Sequence, residues 1–253
     1  MATTTAHPFF DHDGPIPLAH MGGRGEAAEN SAAAFANAAS LGYRHLDIDL
    51  QTTSDGVLVA HHDETLERLT GLAQPVAELS WAQVAELRLA DGQPLARFDE
   101  LVETHPDALW NIELKDDRSI EPTVELIRSR AMGERVCLNT FNDLRMRRIR
   151  RAAAGLGSAY STPIAVTLWL KAASLVPFLP FRTSAQSTQA PVRDRGVRVL
   201  DRRFVKRAKR AGLVVIVWTI NDVDEMQRLL DIGVDGILTD NPTTLKELLD
   251  RTP

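Results

Sequence analysis

Short apolar or alternating stretches recur along the whole chain, separated by longer stretches whose apolar residues return every three to four positions. The first kind reads as strands and the second as helices, because side chains alternate across a strand and recur at 3.6 residues around a helix. Strands are expected at residues 17–19, 45–50, 109–114, 135–139, 157–161, 197–200, 213–219 and 235–238, with a ninth short apolar run at 57–61. Helices are expected at 31–41, 120–130, 142–154, 163–175, 202–211, 223–232 and 243–250. Asn221 or Asp222 can cap the helix from Val223, which Gly233 follows. Asp240, Asn241 and Pro242 open the last helix in the same way. Repeated strand–helix units imply an α/β fold with a mainly parallel sheet. Units of about thirty residues suit either a closed barrel or a doubly wound sheet. The string GGRG after His20 lacks the spacing of a dinucleotide fingerprint and the acidic residue that should follow it. Residues 64–103 interrupt the rhythm, with 80–87 helical inside them, and read as an insertion over the mouth of the fold rather than a separate unit.

The chain has 253 residues, a length that fits one α/β barrel, although two smaller domains would fit length alone. A net charge of −5 argues against a partner recognised through a basic face, so no nucleic acid is expected. The arginine-rich run at 145–151 reads as a solvated helix face. The lone cysteine, Cys137, allows no intrachain disulfide and sits in an apolar run as a core residue. The N-terminal stretch has neither the basic start nor the apolar core of a signal peptide, so a cytoplasmic location is expected. No stretch reaches the roughly 20 clean apolar residues of a spanning helix. Residues 164–181 come nearest but contain Lys171, Pro177 and Pro180.

Candidate chemistry begins with the segment LDIDL. Leu46, Ile48 and Leu50 face one way, and Asp47 and Asp49 face the other. Two carboxylates on one buried face repel each other and lose hydration, so they need a cation or a shared proton. The segment WNIELK repeats the pattern and adds Glu113, with Lys115 two residues on. Three carboxylates at one mouth form an oxygen-rich site suited to Mg²⁺ or Ca²⁺. No cluster with zinc spacing exists. On periodicity alone Lys115 reads as an ion-pair partner of these acids. His20 and either His61 or His62 stand at strand ends, where acid–base work near neutral pH is available. Alternation does not choose between His61 and His62. His7, His12, His45 and His105 fall in the tail or on expected surfaces, and Trp218, at the end of VVIVWT, reads first as core.

The blocks AHMGG, ENSAAAF, GYRHLDIDLQTTSDGVLVAHHDETLERLTG, LWNIELK, VWTIND and GVDGILTDNP, in this order over residues 18–248, resemble the glycerophosphodiester phosphodiesterase family of the phosphatidylinositol-phospholipase-C-like barrels. The resemblance implies one (β/α)₈ TIM barrel over residues 1–253 with a small insertion after the second strand. It implies cleavage of a small glycerophosphodiester or lipid head group to an alcohol and glycerol phosphate. Carried over by motif, His20 and His62 are the acid–base pair, Asp47, Asp49 and Glu113 hold a divalent ion, and Lys115 contacts phosphate or the carboxylates. Trp218 lines the substrate side, and Glu29 and Asn30 brace the first loop. The choice of His62 over His61 rests on its place immediately before Asp63.

Two positions depart from the family pattern. Met21 stands where the family has an arginine, which removes a charge and its donors, and Arg24 is the nearest replacement. Asp47 stands where the family has Glu, one methylene longer. These departures keep two alternatives in view. One is a lysophospholipase D or sphingomyelinase D activity on the same residues. The other is a weakly active or non-catalytic phosphodiester-binding protein, since fold alone does not fix function. The apolar segment LWLKAASLVPFLPF could touch a lipid surface transiently, but its reading as an ordinary barrel helix with a proline-rich stop is favoured.

Overall fold

The structure is a computed structural model that describes residues 7–176 and 179–251. The expectations that rest on residues 1–6 and on Pro177 lie outside the described residues. The strands are β1 (Ile16–Ala19), β2 (His45–Thr52), β3 (Leu58–Ala60), β4 (Leu109–Leu114), β5 (Val136–Asn139), β6 (Ala159–Thr162), β7 (Ser187–Pro191), β8 (Arg193–Asp194), β9 (Val197–Arg198), β10 (Val214–Trp218) and β11 (Gly236–Thr239). The helices are α1 (Ala32–Ser40), α2 (Glu67–Thr70), α3 (Trp81–Val84), α4 (Phe98–Thr104), α5 (Ile120–Ser129), α6 (Asp143–Ala152), α7 (Ile164–Leu175), α8 (Arg202–Arg210), α9 (Val223–Asp231) and α10 (Pro242–Asp250). Eight strands pair in parallel in the order β1-β11-β10-β7-β6-β5-β4-β2, and pairing of β1 with β2 closes the ring. A helix follows each of the eight, so the chain is a (β/α)₈ TIM barrel with an insertion after its second strand.

Alternation along the strands builds the two sides of the wall. Leu46, Ile48 and Leu50 of β2 and Trp110, Ile112 and Leu114 of β4 join the outer core beneath the helices. Trp110 takes Phe35 of α1 and Phe98 of α4 edge-on, with centroids 5.4 and 5.3 Å away. The inward residues change character along the barrel axis. At the N-terminal end Phe9 and Phe10 pack with Leu18, Leu109, Val214 and Ile216 to form an apolar floor. Higher along the barrel axis, inward positions of β2, β4 and β7 carry Asp47, Asn111, Gln189 and Glu113. The C-terminal mouth is therefore the polar end, where barrels of this kind place their sites.

Four expectations need correction. The strand expected at 197–200 is not a barrel strand: Val197–Arg198 pairs with Arg193–Asp194 in a small antiparallel hairpin. The barrel strand is β7, whose sequence STQAP shows no apolar alternation. Its outward Thr188 is satisfied by hydroxyls of Thr162 and Thr167 at 2.9 and 3.2 Å, so polar groups occupy both of its faces. Second, the insertion ends before Phe98, because Phe98, Leu101 and Val102 of α4 belong to the outer core. Its remainder gathers Leu66, Val76, Leu79, Val84 and Leu95 into a small cluster of its own, and Ser80 caps α3 with a capping box through Gln83. Third, His45 is buried rather than on a surface, with Nε2 2.7 Å from the Phe9 carbonyl. Burial depresses its pKa to about 4. Fourth, Asn241 makes no capping bond to α10, and Asp240 is used elsewhere. Asp222, by contrast, caps α9 through the Glu225 amide.

Candidate active site

His20 begins the turn after β1, and its ring Nδ1 lies 2.6 Å from Asp240 Oδ1 at the end of β11. A carboxylate can only accept, so Nδ1 carries the proton of that bond and Nε2 is left without a protein partner among the described residues. Burial opposes protonation of His20, but the Asp240 bond and the charges of Asp47, Asp240 and Asp49 outweigh it and raise its pKa. Asp240 also accepts from Arg24 Nε at 3.0 Å and from Asn221 Nδ2 at 2.8 Å, while Asn221 Oδ1 takes the Asp240 amide. Burial works against ionisation of Asp240, yet these donors pull its pKa below the usual range. The glycines after His20 serve close approach. Gly23 has φ +96°, and a Cβ there would come within 2.7 Å of Pro242.

His62 follows β3 and lines the same cavity as His20. Its Nδ1 lies 2.8 Å from Asp63 Oδ1, and Asp63 Oδ2 accepts from Arg68 Nε of α2 at 2.5 Å. Arg68 holds Glu29 with two further bonds of 2.9 and 2.6 Å. The Arg68 bond is the main reason that the Asp63 carboxyl stays far below its ordinary pKa. His61 is turned away and fully buried, with Nε2 3.0 Å from the Thr65 carbonyl. Burial lowers its pKa. The adjacent histidines therefore face opposite ways, and His62 is the one on the cavity.

Asp47, Asp49 and Glu113 converge as their alternation requires, with Asp49 and Glu113 in register on β2 and β4. Lys115 Nζ bridges Asp49 and Glu113 at 3.2 and 3.1 Å, as an ion-pair partner should. Asn30 donates to Asp49 Oδ2 at 3.1 Å and accepts the Asp49 amide at 3.3 Å. Asn111 donates to Asp47 at 2.5 Å and exchanges bonds with Gln189. One lysine does not offset three acids. Burial, against the pull of His20, pushes the Asp47 carboxyl above its ordinary pKa, and burial, against the pull of Lys115, does the same to Glu113. Among the described residues, no three His, Cys, Asp or Glu side chains are grouped closely enough to hold a metal as they stand. The donor set is nevertheless hard oxygen with surplus negative charge, which suits Mg²⁺ or Ca²⁺.

The cavity measures about 210 Å³, and His20, His62, Asp47 and Glu113 share it with Arg24 and Trp218. Asp49, Lys115, Glu29 and Asn30 sit behind it as supports. Met21 lines it in a left-handed conformation, φ 50°, and is 2 % exposed. Phe141 packs edge-on against Trp218 at 5.4 Å and forms an apolar wall. Sequence reasoning missed Asp240, Asn221, Arg68 and Gln189. Asp240 and Asn221 looked like helix caps, Gln189 is placed by its bonds to Asn111 across the ring, and Arg68 by the folding of the insertion onto Asp63 and Glu29.

The sequence matches the profile of the glycerophosphoryl diester phosphodiesterase family over residues 20–244. It is 34% identical to the protein named probable glycerophosphodiester phosphodiesterase 2 of Mycobacterium tuberculosis, over 95% of this chain and 93% of that one. It is 25% identical to a lysophospholipase D of Rattus norvegicus, over 92% of this chain and 86% of that one. In fold it resembles a glycerophosphoryl diester phosphodiesterase structure from Silicibacter pomeroyi, with a TM-score of 0.78 at 22% identity and 96% of each chain covered. It also resembles an Oleispira antarctica phosphodiesterase in complex with the product sn-glycerol-3-phosphate, with a TM-score of 0.76 at 22% identity over 94% of this chain and 97% of that one. With two histidines and three carboxylates gathered at the mouth of its barrel, the chain belongs to the glycerophosphoryl diester phosphodiesterase family.

Proposed function

We propose that this chain hydrolyses glycerophosphodiesters to an alcohol and glycerol phosphate by acid–base catalysis between His20 and His62. One observation supports this above the rest: each histidine is held through Nδ1 by a carboxylate, and both line one cavity with Asp47 and Glu113. An Nδ1 bond to a carboxylate fixes the tautomer and leaves Nε2 to take or give a proton. One ring removes the proton of the nucleophile, either water or the substrate's own glycerol hydroxyl, and the other protonates the leaving alcohol; where the glycerol hydroxyl attacks, water then opens the cyclic phosphate to glycerol phosphate. Asp47 and Glu113 would hold a divalent ion, with Asp49 behind them; when bound, the ion neutralises phosphoryl oxygens. Lys115 orients Asp49 and Glu113, and Arg24, anchored on Asp240, supplies the cation that Met21 lacks. Residues 1–253 act as a single barrel domain, a reading supported by the pairing of the first barrel strand with both the second and the last.

Turnover of glycerophosphocholine tests this reading. Activity is expected with Mg²⁺ or Ca²⁺, lost in chelator and restored by either ion. Full activity in chelator with no metal by elemental analysis would overturn the metal assignment. Arg24→Ala is expected to lower kcat/KM about tenfold or more, the loss of one charge-assisted hydrogen bond, and Met21→Arg to change it little. The lysophospholipase D reading is kept by the apolar wall of Met21, Phe141 and Trp218, which suits a glycerol carrying an acyl chain. Faster turnover of lysophosphatidylcholine than of glycerophosphocholine would favour it.

A further inference from the structure

The charges of this chain are sorted. Residues 144–210 carry 16 Lys and Arg against two Asp and no Glu, which leaves 13 basic against 32 acidic residues for the remainder. An overall charge of −5 thus hides a basic quadrant of net +14 opposite a remainder of net −19. Exposed apolar side chains gather in the same quadrant. Of eight large hydrophobic residues that are exposed among the described residues, seven lie between 141 and 197. Four belong to α7 and its C-cap: Leu168, Trp169, Leu175 and Val176, between 37% and 54% exposed. With Ala165 and Ala172 they fall at helical spacing and form one apolar stripe along the outer face of α7. Of the others, Phe141 lies on the loop after β5 and lines the cavity, Leu144 is in the first turn of α6, and Val197 is on the hairpin after β7.

Cations flank this surface. α7 packs along α8, and Arg207 of α8 donates to the Leu179 carbonyl just beyond α7. Arg203 and Lys206 on α8 and Arg195 on the hairpin are exposed, and among the described residues none of the three is paired with a carboxylate. A large apolar patch on a soluble protein marks an interaction surface. A helix with a Trp and Leu face beside Lys and Arg is the arrangement that lies in the interface of an anionic bilayer. A second copy docked by this face about a twofold axis would set the basic quadrant against itself. A nucleic acid would make no use of the apolar stripe.

We propose that the α7–α8 quadrant, with the adjoining rim of the cavity, is a docking surface for an anionic lipid bilayer. Leu168 and Trp169 enter the boundary between head groups and acyl chains. Arg195, Arg203 and Lys206 meet the head-group phosphates. Docking holds the cavity rim against the lipid surface and does not depend on how the cavity cleaves its substrate.

Co-sedimentation of the full chain with vesicles tests the proposal. The two compositions are phosphatidylcholine alone, and phosphatidylcholine with phosphatidylglycerol in equal parts. Binding is expected to the mixed vesicles, about tenfold weaker to phosphatidylcholine alone, and weakened by salt. The variants Leu168→Asn/Trp169→Gln and Arg195→Gln/Arg203→Gln/Lys206→Gln should each lose about tenfold in partitioning while keeping turnover of a water-soluble diester. The five side chains are exposed, so circular dichroism and melting should match the parent. Absence of binding to mixed vesicles, or binding that neither variant weakens, would overturn the proposal. So would a concentration-dependent dimer in gel filtration that Leu168→Asn/Trp169→Gln dissolves, since the face would then belong to a second copy.

Discussion

Two walls of the barrel interior differ sharply. The wall built by β1, β2, β4 and β11 brings His20, Asp47, Asp49, Glu113 and Asp240 to the mouth, each tied to a named partner. The wall of β5, β6 and β7 brings Asn139, Ser161 and Gln189, neutral groups that shape the cavity. The difference teaches that charge handling is concentrated on one side, where each carboxylate is met by donors from the same mouth: Asn111 for Asp47, Lys115 for Asp49 and Glu113, and His20, Arg24 and Asn221 for Asp240. The neutral side needs no such support and is free to carry apolar and basic groups on its outer face.

The largest effect that would break this comparison is loss of either histidine. His20→Gln and His62→Gln should each lower kcat by roughly 10²- to 10⁴-fold, the usual worth of a positioned proton donor or acceptor. Steady-state turnover with circular dichroism as a folding control is the check, and a variant within threefold of the parent would remove that histidine from the chemistry.

Going down the charged wall sharpens the comparison, because His45 on the same inward row of β2 meets the apolar floor instead of the mouth. Its folded pKa of about 4 lies below the ordinary 6.5. The unfolded chain therefore takes up a proton that the native state refuses. Stability from this residue is intact above pH 6.5 and is lost as pH falls toward 4, by roughly 3 kcal/mol. Urea unfolding at several pH values measures the slope. His45→Gln should flatten it, and an unchanged slope would show that His45 does not carry it.

A smaller effect is expected from the brace between the insertion and the mouth. Arg68 holds Asp63, which holds His62, and it also clamps Glu29. Arg68→Met should lower kcat about 10- to 100-fold with little change in KM, since its loss frees the ring without removing it. Arg68→Lys should recover part of that loss. A KM effect alone would assign Arg68 to substrate binding instead. The smallest effect belongs to the neutral wall. Ser161 Oγ is buried on the cavity without a hydrogen-bond partner among the described residues. Ser161→Ala should raise KM by no more than about tenfold, the value of one neutral hydrogen bond, with kcat nearly unchanged. A kcat loss equal to that of the histidine variants would erase the distinction between the walls.

Much of the charged wall was legible in the sequence, because period-two alternation obliges Asp47 and Asp49 to share a side opposite Leu46, Ile48 and Leu50, and the same rule places Glu113 opposite Ile112 and Leu114. Helix ends such as Asp222 before α9 were legible for a similarly local reason, a side-chain oxygen within reach of amides two or three residues on. Only the tertiary structure decided that β7 rather than residues 197–200 completes the ring, because its polar side chains are satisfied by hydroxyls and amides from other strands and leave no apolar pattern. The same holds for Asp240 as the partner of His20 across 220 positions and for the buried place of His45, while the choice of His62 over His61, open to alternation, came from the motif that places it before Asp63. For β7, Asp240 and His45 the chemistry depends on which surface closes over a residue, and that surface comes from elements far away in the chain.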